Sequence, residues 1–151
     1  MRKGAKTFIN AIKQIHLMKL NKINIIKLLL YGASFSYIIG AIAHFFGLTL
    51  FPWYVSALYS PYHDSLIPLI AITVAILVFG IAKNLDKNPE LLNVIITAGI
   101  VAIIYSSLVL LRFDYAAIGI PEKSLQTIVE TASLVVFVII LILLKPKKIK
   151  S

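Results

Sequence analysis

A chain of 151 residues without cysteine has no disulfides, thiol nucleophiles or Cys-ligated metals. Its net charge of +9 stands beside 60% hydrophobic residues and a mean hydropathy of +0.93, a balance that a soluble core does not account for. The basic runs lack an aromatic-studded soluble module, so anionic lipid headgroups, and not nucleic acid, are their expected counter-charge.

Four apolar stretches dominate the chain, at about residues 28–50, 61–83, 91–112 and 122–145. Each is long enough to cross a hydrocarbon layer of roughly 30 Å as a helix. The expected fold is an all-α integral membrane protein, a four-transmembrane-helix bundle over residues 28–145. An amphipathic basic N-terminal helix over 1–27 precedes it, and a basic tail over 146–151 follows.

Residues 1–27 carry Arg2, Lys3, Lys6, Lys13, Lys19, Lys22 and Lys27 with no acid. Phe8, Ile12 and Ile15 recur at helical spacing, with Lys3, Lys6, Asn10 and Lys13 on another face. That pattern suits a helix on the inner leaflet, apolar side down and lysines toward lipid phosphates. It has neither the compact apolar run nor the small-residue cleavage site of a removable signal.

In the first span Ser36, Gly40, His44 and Gly47 fall on one stripe. Small residues allow close helix approach in lipid, so this face is expected to meet the bundle with His44 pointing inward. The loop that follows holds Phe51, Pro52, Trp53 and Tyr54, rings that suit an interfacial belt. Ser60-Pro61 reads as a helix start, with Ser60 as N-cap and Pro61 at the first helical position. His63 and Asp64 then lie in the first turn, and Pro68 removes the hydrogen bond to the Asp64 carbonyl. The third span has a weaker small stripe of Gly99, Ala102 and Ser106. On the fourth, Gln126, Glu130 and Ser133 share a face, with Thr127 and Thr131 beside it.

Lys and Arg set the expected orientation. They crowd the N-terminal segment, the loop with Lys83 and Lys87, and the tail with Lys145, Lys147, Lys148 and Lys150. The first loop has none, and in the third Arg112 and Lys123 are offset by Asp114 and Glu122. The positive-inside rule therefore places both termini in the cytoplasm of a cell-membrane protein.

Depth along the helices gathers a candidate site near the outer face. At 1.5 Å per residue, His44 and Tyr105 lie roughly 9 Å, and Glu130 roughly 8 Å, below the outer ends of their expected spans. His63, Asp64 and Arg112 stand just above. Charged groups in spans usually avoid lipid, so these residues are expected to share a functional corner. His44, His63, Asp64 and Glu130 supply donors for a divalent metal such as zinc, copper or iron. A proton relay, a quinone held by His44, Tyr105 and Arg112, or a haem draws on the same groups. Each residue also has a plainer role: an ion pair of Glu130 with Arg112, an interhelical hydrogen bond from His44, a solvated Asp114.

Tiny loops, small-residue faces and a basic arm point first to an accessory or stabilising subunit of a larger membrane complex, such as a respiratory or oxidative one. The alternatives are a membrane enzyme or cofactor-binding protein using the outer His/Asp/Glu site, and a small oligomeric transporter. The expected partners are other membrane subunits or further copies of the chain.

Overall fold

The structure is a computed structural model that describes residues 2–48, 60–117 and 119–146; of residues 2–21, 61, 63 and 122 it describes the backbone alone. The described residues form four helices, α1 (Arg2–Phe46), α2 (Pro61–Asn84), α3 (Leu91–Arg112) and α4 (Glu122–Leu144). Each contains a stretch long and apolar enough to cross a membrane: Lys22–Phe46, Asp64–Asn84, Leu91–Arg112 and Lys123–Leu144. Large apolar side chains such as Phe35, Leu69, Ile76, Val101 and Leu143 point away from the bundle. In water that surface would be untenable, whereas acyl chains solvate it and the helices satisfy their own backbone.

Two boundaries differ from expectation. No break follows Lys27; α1 runs unbroken from Arg2. No proline lies in that stretch to interrupt the helix. The Lys27 ammonium is accommodated by Asp86, 2.6 Å away in the turn after α2. At its other end α1 stops at Phe46, short of residue 50, and the reason is Gly47. Gly47 adopts φ 59°, its N–H donates to the His44 carbonyl, and the Leu48 N–H donates to the Ala43 carbonyl at 2.8 Å. This is a Schellman stop, which needs a left-handed residue. Gly47 therefore terminates the helix and does not belong to its packing stripe. The Trp53–Tyr54 belt lies outside the described residues.

The helices alternate in direction, so the N-terminal part of the first span, the α2–α3 turn and the C-terminus of α4 share one end, here the terminal end. The opposite, far end holds Phe46, Pro61, Arg112 and Glu122. All four helices meet only toward the terminal end. There Ile23, Ile26 and Leu30 of α1 pack with Val78 and Ala82 of α2, Leu92 and Ile96 of α3, and Val138 and Leu141 of α4. Toward the far end this core reaches no further than Ala33, Val74, Ile103 and Leu134. Over the bundle as a whole α1 associates mainly with α2 and α3 mainly with α4, and the two pairs touch each other far less.

Candidate functional site

The far end of the α1–α2 hairpin is fastened by a polar latch. His44, in the last turn of α1, places Nδ1 2.8 Å from Oδ1 of Asp64, in the first turn of α2. A carboxylate accepts, so Nδ1 is the nitrogen that carries the proton. The other Asp64 oxygen accepts the backbone N–H of Ser60 at 2.7 Å. Asp64 thus ties its own helix start to the neighbouring helix, and its side chain is 8% exposed against 33% for His44. The helix dipoles favour the same arrangement, an acid at the N-terminus of α2 and a base at the C-terminus of α1.

Sequence correctly marks Pro61 as the opening of α2, with Ser60 as N-cap. The Ser60 hydroxyl makes no capping bond, however; the acceptor for the orphan N–H comes from Asp64. α2 passes through Pro68 without ending.

A second polar group lies along α4. The Lys123 ammonium donates to Gln126 Oε1 at 2.7 Å, and Gln126 Nε2 donates to Glu130 Oε1 at 2.6 Å. These are neighbours on one helix face by i, i+3 and i, i+4 spacing. Gln126 is buried and Glu130 is exposed. Lys123 and Gln126 complete this chain without having been singled out as site residues, although their spacing to Glu130 is visible in the sequence.

The direction in which Glu130 points is set by helical periodicity. It precedes Leu134, Phe137 and Leu141 by four, seven and eleven residues, and all three pack in or against the four-helix core. Glu130 therefore stands on the core-facing stripe of α4, yet it is exposed, one turn beyond Leu134, where the packing against the core ends. The first helix repeats the pattern. Gly40 follows Ala33 by seven residues and Leu29 by eleven, and both of those pack against the core. A Cβ placed on Gly40 would meet no atom within 4 Å. His44 follows Ala33 by eleven residues, on the same side. Beyond the core, the core-facing sides of α1 at Gly40 and of α4 at Glu130 are thus left open, a crevice between the hairpins with His44 and Gln126 near its mouth. From Leu134 to Lys123 its height is about 16 Å.

The remaining candidates do not join it. Tyr105 is 69% exposed and points away from the bundle. Arg112 is exposed at the end of α3, and among the described residues Lys27 pairs with Asp86 and His44 hydrogen-bonds to Asp64, while Arg112 and Glu130 form no ion pair. Asp114 is exposed in the following turn, where its Oδ1 accepts the N–H groups of Ala116 and Ala117. The side chain of His63 lies outside the described residues. Among those described, no three His, Asp or Glu side chains gather as a metal would require. His44 and Asp64 make a pair, and Glu130 is engaged by Gln126.

The described residues accordingly form an all-helical protein whose four helices are long and apolar enough to span a membrane and share a core toward the terminal end. Comparison with protein-family models, curated proteins and solved structures finds no match.

Proposed function

We propose that this chain is an accessory subunit of a larger membrane assembly, its cleft half completed by that assembly. One observation carries the reading: Glu130 stands on the core-facing stripe of α4, about 10 Å along the helix from Lys123, and is exposed there. Ionisable groups at such depth normally face protein or a water-filled cavity, since exposure to hydrocarbon is costly. The loops between α2 and α3 and between α3 and α4 are too short to form a separate soluble catalytic unit. We further propose that both termini are cytoplasmic and the crevice opens outward, in the cell membrane, as the Lys and Arg distribution favours. The basic residues of 2–27 then lie on the side of the anionic headgroups.

The test is extraction in a mild detergent followed by native electrophoresis and mass spectrometry of the band. Migration with other membrane proteins in fixed proportion is expected. A monodisperse single chain that keeps its fold would overturn the reading.

A second reading, a ligand or cofactor site, draws on His44 and Glu130 standing on the two walls of one crevice. Stoichiometric metal in the native extract that disappears in His44→Ala would favour it over the first.

A further inference from the structure

We infer that α1 continues past the membrane as a stalk, and that the stalk docks an apolar protein surface rimmed with Asp and Glu. The inference rests on the subunit reading above and names the surface used and the partner chemistry it selects.

The Lys27–Asp86 pair fixes the level, because Asp86 lies in the turn where α2 has just ended. From Lys27 to Phe46 α1 rises about 29 Å, close to the thickness of a hydrocarbon layer. From Lys27 back to Arg2 runs about 37 Å more of the same helix, past the ends of the other three. Ile15 is about 18 Å out along it, and even at a tilt of about 40° it stays about 14 Å from the hydrocarbon. The headgroup layer is only about 5–8 Å deep. An arm lying among the headgroups would need a bend between Ile15 and Lys27. There α1 is continuous, with neither proline nor glycine.

The side of α1 that enters the core continues onto this stalk. Ile12 precedes Leu30, and Phe8 precedes Ile26, by eighteen residues, about five full turns. Ile15 precedes Ile26 by eleven, about three turns. Lys3, Lys6 and Lys13 fall on another side, and α1 has no acid anywhere along its length. An apolar stripe flanked by like charges makes a poor helix in water alone, so the stalk calls for a cover.

The cover must bring acids, because the chain brings none to that height. Of its six acids, Asp64, Asp114, Glu122 and Glu130 lie in the far half, and Asp86 and Glu90 lie at the α2–α3 turn. Lys13 is about 21 Å further along α1 than Lys27, and Lys6, Lys3 and Arg2 are further still. Residues 145–151 emerge at the same end and add only lysines. A second copy repeats the same cations without an acid to meet them. Nucleic acid would match the charge but leave the apolar stripe in water. A groove that takes an amphipathic helix, with acids at its rim, satisfies both sides of the stalk.

The experiment is photocrosslinking of the full-length chain in native membranes, with benzoylphenylalanine at position 12, on the stripe, or at position 10, opposite it. Expected is a protein adduct from position 12 and not from 10, mapped by mass spectrometry to a surface with Asp or Glu beside the linked residue. Lys6→Gln with Lys13→Gln should lower that adduct about fivefold, the worth of two exposed ion pairs. The melting temperature of the isolated chain should not change, since neither lysine touches the bundle. High salt should lower the adduct in the same way.

Given co-migration with other subunits, several results would overturn the inference and spare the subunit reading. They are no adduct from position 12, a lipid or nucleic-acid adduct there, a linked second copy, and equal adducts from both positions. A linked surface without acids, or indifference to the two lysine changes, would do the same. A folded single chain giving no protein adduct would overturn the two together.

Discussion

The two hairpins of this protein each carry two helices long enough to span a membrane, the first span being the least apolar of the four, yet opposite means hold them. Between α1 and α2, polar links recur along the full height of the span: Lys27 with Asp86, the Ser34 hydroxyl with the Ala75 carbonyl at 2.8 Å, and His44 with Asp64. The tilted rings of Tyr31 and Phe79 add an aromatic contact, their centroids 5.2 Å apart. Among the described residues of α3 and α4, every side-chain hydrogen bond stays within its own helix. There the close fit is steric: a Cβ on Gly99 would fall 2.5 Å from Cγ2 of Val138. Lipid supplies no hydrophobic drive between helices, so a pair must be joined by polar groups or by packing. The first hairpin uses both, to its far end. The second uses packing, and at its far end its polar groups are turned to the crevice.

Removing the latch should have the largest effect. Asp64→Ala deprives both His44 and the Ser60 N–H of their acceptor in a buried setting, and should cost about 2–3 kcal/mol. Unfolding in detergent micelles would show it as a lower midpoint, with Asp64→Asn intermediate. An Asp64→Ala protein as stable as the parent would mean that the first hairpin is not fastened there.

Overpacking the second hairpin comes next. Gly99→Ala drives a methyl into the buried Val138 side chain and should cost about 1–3 kcal/mol. Adding Val138→Ala should recover much of the loss, a coupling of at least about 0.5 kcal/mol in a double-mutant cycle. Simple additivity would show that the two residues do not confront one another. Ser34→Ala, by contrast, removes one interhelical hydrogen bond and should cost only about 0.6 kcal/mol, the average found for such bonds in membranes. A cost like that of Asp64→Ala would erase the distinction between a supporting link and the latch.

The spans were legible because apolar length is nearly all that lipid demands of a helix, and α3 runs over the residues expected, Leu91–Arg112. The course of α1 was less so: the helix runs on through Lys27, whose acidic partner is 59 residues away. Gly47 looked like part of a packing stripe because spacing does not show φ. For the candidate site, neither depth nor direction follows from spacing alone: with α1 ending at Phe46, His44 lies in its last turn and not six residues inside. Tyr105 has about the expected depth, yet it follows Ile96 by nine residues, about two and a half turns, and so lies opposite the buried face. Ser36, on the expected stripe, hydrogen-bonds to carbonyls of its own helix. His44 and Asp64 were each recognised, but periodicity assigns a face and not a partner. Their pairing needed the antiparallel register that only the fold supplies.

The smallest expected effect is the most discriminating for the crevice. Gly40 and Gly99 both sit within membrane spans, on small-residue stripes of their helices, and sequence treats them alike. A methyl group at Gly99 has nowhere to go, whereas at Gly40 it enters open space. Gly40→Ala should therefore leave the isolated chain as stable as before, or up to about 1 kcal/mol more stable through the better helix former. If instead it destabilises the isolated chain as Gly99→Ala does, the hairpins touch at that level and the crevice is closed. If it leaves the purified chain intact but weakens its retention in a native complex, the space beside Gly40 belongs to a partner. The same substitution thus separates a fold that is finished within one chain from one that another chain completes.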